Sequence, residues 1–196
     1  MINIIIPCYN EEKSLAKLFK EINQIKVDIN WLIIDNGSTD GTNKEIKRFM
    51  SMNDSRRIEY IKVKKNQGYG NGIKSGIRYL AEQKNANTIG WTHADGQTPL
   101  EDIVKGYKIL IDSTSIEGCM VKGIRKSRND SRIANIFTKA QSAILRLFKF
   151  KDLVEPNAQP TIIRNIDWLK LIDACEDDGL FDLSVLIYTM KSYQII

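Results

Sequence analysis

The feature that most constrains the fold is a regular alternation of short apolar runs and longer amphipathic segments up to residue 121. Short apolar or β-branched runs predict buried strands, and apolar residues spaced three and four apart predict helices. The predicted strands are residues 2–7, 31–34, 57–63, 86–92 and 118–121, and the predicted helices are residues 11–26, 42–52, 68–83 and 100–111. This order joins parallel strands through helices on both faces of the sheet. The sequence therefore predicts an α/β protein, a three-layer α/β/α sandwich with a mostly parallel central sheet.

The second part of the sequence is less regular. Two prolines, Pro156 and Pro160, bracket a predicted loop. The predicted elements here are helices at residues 133–148, 166–174 and 181–190 and a last strand at residues 193–196. No internal repeat, low-complexity tract or linker separates them, so we predict a single domain over residues 1–196.

Composition excludes several classes of protein. The 42% hydrophobic and 27% charged residues are ordinary for a soluble globular chain, and no apolar run approaches the roughly 18 residues of a membrane-spanning helix. The N-terminus enters a strand directly, unlike a signal peptide. Three widely spaced cysteines, Cys8, Cys119 and Cys175, indicate reduced thiols and no zinc site. A single histidine argues against a His-based metal cage or a Ser-His-Asp triad. We expect a cytoplasmic protein.

Positive charge is concentrated between residues 122 and 151, although the net charge of the whole chain is only +5. The bases are Lys122, Arg125, Lys126, Arg128, Arg132, Lys139, Arg146, Lys149 and Lys151. Such a stretch predicts a phosphate-rich partner, which is a nucleotide sugar, a phosphorylated lipid or an anionic membrane surface, and we predict no nucleic-acid partner. For Lys139 and Lys149 a solvated helix face is the alternative.

The stretch His93-Ala94-Asp95-Gly96-Gln97 follows a predicted buried strand. Open α/β sheets bind ligands at the carboxyl ends of their strands. The oxygens of Asp95 and Gln97 suit Mg²⁺ or Mn²⁺ carried by a phosphate-bearing substrate. The alternative is a helix entry, with Asp95 or Thr98 as the N-cap and Pro99 at the first helical position.

Four such loops follow predicted strands: residues 7–11, 35–41, 66–76 and 93–97. Each alone has a structural explanation, such as a helix cap at Asn10 or a flexible helix start at Gly68. In this order and spacing, however, they resemble the inverting glycosyltransferases of family 2, which have the GT-A fold. The similarity is strongest to transferases that act on polyprenyl phosphates or in surface-polysaccharide synthesis, and it covers nearly the whole chain.

The resemblance implies roles for residues of the first three loops. The Pro-x-Tyr-Asn-Glu turn borders base and ribose in such enzymes, and the acid after the second strand hydrogen-bonds the base. Glycines of the third loop allow close backbone approach. The nucleotide-binding residues implied are Pro7, Tyr9, Glu11, Asp35, Gly68 and Gly72. Asp40 matches a further family acid, with capping of the helix at residue 42 as the alternative.

The fourth loop departs from the family pattern, which is usually Asp-x-Asp. His93 replaces the first acid, whereas Asp95 and Gln97 match. We expect Mg²⁺ or Mn²⁺ with Asp95 as the main ligand and Gln97 in support. His93 is a further candidate ligand through its neutral imidazole, and a hydrogen bond from His93 to the sugar is the alternative.

The resemblance also implies residues that act on phosphate, acceptor or the reacting atoms. Arg125 lies in a Gly-x-Arg motif, and its guanidinium, with that of Arg128 or Arg132, suits a diphosphate or an acceptor phosphate. Gln159 lies in a loop that approaches the donor sugar or acceptor in related transferases. Asp182 matches a late family acid, with an N-cap of the helix from residue 183 as the alternative. The implied catalytic residues are Asp95, Arg125 and Asp182.

The expected function is transfer of a sugar, with inversion, from a UDP- or GDP-linked donor to a polyprenyl phosphate or a glycan. An anionic phosphate acceptor needs no general base, whereas a hydroxyl needs one, and Asp182 is the candidate. Relatives continue beyond residue 196 into membrane-associated segments, so we expect either a short member of the family or a sequence without the acceptor-side, membrane-docking piece. Any contact with the cytoplasmic face of the membrane is expected to be peripheral. The first rival is a catalytically inactive GT-A-like domain that binds nucleotide or a partner. The second, a sugar nucleotidyltransferase, needs a glycine-rich loop after the first strand, which residues 7–11 do not offer.

Overall fold

The computed structural model describes residues 1–52, 57–84, 86–113, 118–124, 156–190 and 194–196. Within these ranges the strands are β1 Ile2–Cys8, β2 Ile29–Asp35, β3 Ile58–Lys62, β4 Thr88–Trp91, β5 Cys119–Lys122, β6 Thr161–Arg164 and β7 Gln194–Ile195. The helices are α1 Leu15–Gln24, α2 Thr42–Met52, α3 Tyr69–Lys84, α4 Glu101–Asp112, α5 Trp168–Ala174 and α6 Phe181–Met190. The predicted helix at residues 133–148 lies outside the described residues.

The described strands form one sheet in the order β3-β2-β1-β4-β6-β5-β7. The pairs β2–β3, β1–β2, β1–β4 and β5–β7 are parallel. Strand β6 runs antiparallel to both of its neighbours, β4 and β5. The prediction of a mostly parallel sheet is therefore confirmed, with one reversed strand near the middle.

The sequence interpretation missed β6, because a four-residue strand directly after Pro160 carries little periodic signal. Its residues Thr161, Ile162 and Ile163 are fully buried. Strands covered on both faces show a short apolar run rather than an alternation, and such a run is difficult to distinguish from a loop or a helix start.

The core lies on both faces of the sheet because successive side chains of a strand point to opposite sides. Ile4 and Ile6 of β1 pack in one cluster with residues of α1, α2 and α4, such as Leu18. Ile5 lies in the other cluster, with residues of α3, α5 and α6, such as Ile77. This arrangement confirms the three-layer sandwich.

The helix entries differ from several predictions. Helix α4 has Leu100 as its N-cap, and the Leu100 amide donates to Glu21 Oε2 at 3.2 Å, so neither Asp95 nor Thr98 caps it. Helix α6 begins at Phe181, so Asp182 lies in its first turn and is not the N-cap.

Two predicted caps have clear outcomes. Asp40 accepts a hydrogen bond from the Thr42 amide at 3.0 Å where α2 begins, which supports its capping role. Asn10 does not cap α1, whose N-cap is Ser14.

Cys8, Cys119 and Cys175 are free, buried thiols. None of the helices in the described ranges combines the length and apolar composition needed to cross a bilayer.

Candidate functional site

The four loops meet at one cavity of about 210 Å³. The carboxyl ends of β1, β2 and β4 lie at the same edge of the sheet because these strands are parallel. The cavity is lined by Pro7, Cys8, Tyr9, Glu11, Asn36, Asn66, Gly68, Tyr69, His93, Ala94 and Asp95. Of the predicted nucleotide-binding residues, Pro7, Tyr9, Glu11 and Gly68 are in this set, whereas Asp35 and Gly72 are not.

Hydrogen bonds hold the first and second loops against each other. Asn10 adopts a positive φ of 57°, its amide donates to Ser38 Oγ at 3.0 Å, and its side-chain oxygen accepts from the Thr39 amide at 2.9 Å. The Glu11 amide donates to Thr42 Oγ1 at 2.8 Å. The wall formed by residues 7–11 is therefore fixed by the residues that follow β2.

Asp35 is fully buried beside the cavity rather than in its lining. Its carboxylate accepts from the Ser38 amide at 2.8 Å and from the Tyr60 hydroxyl at 3.4 Å, and Lys62 Nζ lies 3.7 Å from Oδ2. Burial, followed by the nearby charge of Asp35, raises the pKa of Tyr60 to about 12. The neighbouring residue, Asn36, lines the cavity instead. A role of Asp35 on the base stays a prediction.

The glycines of the third loop are required mainly by contacts within the protein. A Cβ on Gly68, which has a φ of 110°, would lie 2.7 Å from the Asp177 carbonyl oxygen, and one on Gly70 would lie 2.7 Å from Phe181 Cβ. A Cβ on Gly72 would lie 3.0 Å from the Asn36 side chain. The loop therefore packs against the start of α6, and its role in nucleotide binding stays a prediction.

The fourth loop presents one exposed carboxylate to the cavity. Asp95 Oδ1 accepts from the Gln97 amide at 2.9 Å. Gly96 has a φ of 70°, and its carbonyl accepts from Lys17 Nζ at 2.9 Å. The His93 ring stacks on Tyr69, with centroids 5.3 Å apart and an interplanar angle of 30°. The Gln97 side chain is exposed and outside the cavity lining.

The side chains of Asp95 and His93 fit a divalent cation that enters the cavity together with a phosphate-bearing substrate. In the described part of the chain, no three His, Cys, Asp or Glu side chains are grouped closely enough to hold a metal ion by themselves. Asp95 Oδ2 has no hydrogen-bond partner in the described ranges, and His93 lines the same cavity. Mg²⁺ is commonly held by one or two carboxylates together with substrate phosphates and water. The site therefore matches that mode of binding.

A cluster of buried polar side chains lies behind the cavity and includes Asp182. The Asp182 side chain is only 2% exposed. Its Oδ1 accepts from Trp91 Nε1 at 2.9 Å and lies 3.5 Å from Lys122 Nζ, and its Oδ2 accepts from Gln159 Nε2 at 3.2 Å. Gln159 Nε2 also donates to the Tyr69 hydroxyl at 3.2 Å.

The ion pair in this cluster is almost completely removed from water. The Lys122 side chain is 7% exposed, and its ammonium donates to Thr161 Oγ1 at 2.6 Å. Burial lowers the pKa of Lys122, and the charge of Asp182 partly opposes that shift. Burial, followed by the charge of Asp182, raises the pKa of Tyr69. Lys122 was part of the basic stretch in the sequence, but its burial beside an acid was not predicted.

Three predicted residues, Arg125, Arg128 and Arg132, lie outside the described residues, so their roles stay predictions. The sequence reasoning missed Asn36, Tyr69 and Trp91. Asn36 directly follows Asp35, the acid at the end of β2, and this position was the sequence signal that could have identified it as a cavity residue. Tyr69 and Trp91 carry no signal of this kind, because their polar partners lie about 90 residues away.

Comparison with known proteins gives a consistent result. The family model "Glycosyl transferase family 2" matches residues 3–171. An uncharacterized protein of Methanocaldococcus jannaschii, MJ0544, is 28% identical in an alignment of 158 positions that covers 76% of this chain and 66% of that protein. Undecaprenyl-phosphate 4-deoxy-4-formamido-L-arabinose transferase of Proteus mirabilis is 28% identical in an alignment of 149 positions that covers 74% of this chain and 43% of that protein. The chain thus spans less than two thirds of the length of either relative.

A solved structure supports the same fold. Glucosyl-3-phosphoglycerate synthase from Mycobacterium tuberculosis, in complex with Mn²⁺, UDP and phosphoglyceric acid, superimposes with a TM-score of 0.71 at 14% identity. The alignment covers all of this chain and 67% of that one. The described chain therefore has the GT-A fold that the four loops predicted.

Proposed function

Because the chain belongs to glycosyltransferase family 2, we propose that it transfers a sugar from a nucleoside-diphosphate sugar to a polyprenyl phosphate, with inversion at the anomeric carbon. The observation that carries this proposal is the meeting of all four motif loops at one cavity, on the edge of the sheet where α/β proteins bind ligands. We also propose that residues 1–196 act as one GT-A domain.

The residues of the cavity divide by their chemistry. Pro7, Tyr9 and Asn36 form the end nearest the first two strands and are assigned to the nucleoside. Asp95 and His93 form the other end and are assigned to the diphosphate. A Mg²⁺ or Mn²⁺ ion bound there would neutralise charge on the leaving diphosphate. Asp95 supplies the carboxylate for that ion, and the exposed amide of Gln97 is a second ligand in the proposal.

The class of acceptor is assigned from the environment of the Asp182 carboxylate. Asp182, the candidate base, is buried, accepts two hydrogen bonds and faces Lys122. A group in that state is poorly placed to remove a proton from a bound hydroxyl. A polyprenyl phosphate arrives already ionised and attacks without a base. The Proteus mirabilis relative is a transferase to undecaprenyl phosphate, which supports this choice. Such an acceptor also favours peripheral contact with a membrane.

The other proposal for the same cavity is a domain that binds nucleotide without catalysis. The observation in its favour is His93, which takes the place of an acid at the diphosphate end. This alternative predicts nucleotide binding that does not depend on a divalent metal.

Calorimetric titration distinguishes the transferase from the non-catalytic nucleotide-binding domain. UDP and GDP are each titrated with Mn²⁺, with Mg²⁺ and with EDTA, into the wild type and Asp95→Ala. We expect one nucleotide to bind in a metal-dependent manner, and Asp95→Ala to lose at least about tenfold in affinity, since even outer-shell partners of a metal contribute that much. Asp102→Ala is the matched control, because Asp102 is an exposed carboxylate of α4 paired with Lys105.

Binding that is equally strong in EDTA supports the non-catalytic domain. Failure of the wild type to bind either nucleotide contradicts both proposals. If one nucleotide binds, mass spectrometry of its sugar conjugates incubated with polyprenyl phosphate tests transfer directly.

A further inference from the structure

A line of contacts joins the buried acid Asp182 to the wall of the cavity. Gln159 Nε2 lies 3.2 Å from Asp182 Oδ2 and 3.2 Å from the Tyr69 hydroxyl, so one amide group bridges the two side chains. The Tyr69 ring in turn stacks on the ring of His93. Tyr69 and His93 both line the cavity, next to Asp95.

The buried end of this line is rigid. Asp182 Oδ1 accepts from Trp91 Nε1 and lies 3.5 Å from Lys122 Nζ. Trp91 is itself fully buried against Phe181, with ring centroids 5.6 Å apart. Binding sites need side chains whose rotamers are locked by packing and by hydrogen bonds from outside the site. The Tyr69 hydroxyl is held by such a hydrogen bond, from Gln159, and the Tyr69 ring stacks on the ring of His93.

The backbone at Tyr69 is held as well. Lys74 Nζ binds Asp177 Oδ1 at 2.6 Å, and the Asn71 amide donates to the Asp177 carbonyl at 2.8 Å. The start of α3 is therefore fastened to the segment that precedes α6. The start of α3 is thus held by the segment before α6, and the Tyr69 hydroxyl is linked through Gln159 to Asp182 in the first turn of α6.

We propose that Tyr69 is a positioning residue: held by Gln159 and Asp182, it fixes the His93 ring at the diphosphate end of the cavity. In this inference Asp182 acts through Gln159 and Tyr69 and does not touch the substrate. The effect on ligand binding rests on the proposed function, whereas the effect on the His93 ring does not.

The single histidine of the chain makes the coupling measurable. The ring C–H resonances of His93 are recorded by NMR at one pH for the wild type, Gln159→Met, Tyr69→Phe and the double variant. Gln159→Met keeps the length of the side chain and removes its amide. Tyr69→Phe keeps the ring and removes the hydroxyl. Tyr79→Phe is the matched control, because Tyr79 lies on the same helix and donates its own hydroxyl hydrogen bond, to Glu59 at 2.5 Å.

We expect Gln159→Met to shift or broaden the His93 resonances, Tyr69→Phe to do the same, and the double variant to differ little from Tyr69→Phe. Tyr79→Phe leaves the resonances unchanged. His93 resonances in Gln159→Met that match the wild type would overturn the proposal, as would fully additive changes in the double variant. These outcomes are independent of any nucleotide.

The second readout is nucleotide affinity in the presence of Mn²⁺, by the calorimetric assay above. We expect about a tenfold loss for Gln159→Met and for Tyr69→Phe, in the range that supporting side chains of metal sites contribute. If transfer is observed, Asp182→Asn should raise KM for the donor and leave the pH profile of kcat unchanged. Loss of the basic group from that profile would instead identify Asp182 as a general base and overturn its indirect role. If the wild type binds neither nucleotide, the proposed function fails, while the NMR comparison still decides the coupling.

Discussion

Removing one member of the buried pair formed by Lys122 and Asp182 should destabilise the protein strongly. The two side chains are 7% and 2% exposed, and their charged atoms are 3.5 Å apart. Asp182→Leu leaves the Lys122 ammonium buried with Thr161 Oγ1 as its hydrogen-bond acceptor. An uncompensated buried charge costs about 3–5 kcal/mol. For a domain of this size, 1 kcal/mol corresponds to about 2–4 °C, so Tm should fall by roughly 6–20 °C.

The double variant Lys122→Met/Asp182→Leu provides the control. It removes both charges, so most of that cost disappears. The Trp91 indole N–H loses its acceptor, however, which costs about 1–3 kcal/mol. We therefore expect the double variant to be less stable than the wild type but more stable than Asp182→Leu.

Urea denaturation at neutral and at mildly alkaline pH measures both effects. Burial lowers the pKa of Lys122, so the folded chain releases that proton at a lower pH than the unfolded chain. The folded state then binds fewer protons, and stability rises with pH through this interval. The rise should be steeper in Asp182→Leu, because the opposing charge is gone, and absent in the double variant. A double variant less stable than Asp182→Leu would refute this account of the pair.

Two further predictions concern packing and ionisation. Gly70→Ala should lower the free energy of unfolding, measured by urea denaturation, by about 1–3 kcal/mol. The reason is that its Cβ would lie 2.7 Å from Phe181 Cβ and 2.9 Å from the Asp177 carbonyl carbon. In Gly106→Ala the nearest atom is the flexible Cδ1 of Ile162 at 3.1 Å, so we expect stability within about 1 kcal/mol of the wild type; equal losses in the two variants would contradict the packing argument. Burial and Asp35 raise the pKa of Tyr60 to about 12, so the folded state keeps a proton that the unfolded state loses, and stability should fall as pH rises from about 10 to about 12. Tyr60→Phe should weaken this loss of stability at high pH. If the phenolate absorbance of the wild type shows no tyrosine that ionises near pH 12, the raised pKa of Tyr60 is contradicted.

The sequence predicted the first half of the fold well because each element there carries a complete local signal. Helix α2 was predicted with the bounds that the structure has, since its apolar positions and its cap at Asp40 are neighbours in sequence. The cap of α4 was wrong for the opposite reason. Its first amide is satisfied by Glu21, a residue of another helix, 79 positions away in the sequence. A cap supplied by a distant side chain leaves no local signal.

The candidate site was predictable in location but not in its internal contacts. Parallel strands end at one edge, so the meeting of the four loops followed from the order of the elements. The burial of Asp35 and the contacts of Gly70 with α6 depend on how distant segments pack. A glycine pattern in the sequence records that a close approach exists, but it does not say whether the neighbour is a ligand or the protein itself.

The register of β6 explains why the buried polar cluster forms where it does. Thr161 pairs with Trp91 on β4 and with Lys122 on β5, so the three residues form one row across the sheet. Side chains of directly paired residues point to the same face. The Trp91 indole, the Thr161 hydroxyl and the Lys122 ammonium therefore emerge together, and Asp182 of α6 packs against that row. A shift of β6 by one residue would turn Thr161 to the opposite face, and Lys122 would lose its hydroxyl acceptor. The antiparallel strand that the sequence did not reveal is thus the element that aligns the support of Tyr69 with the cavity.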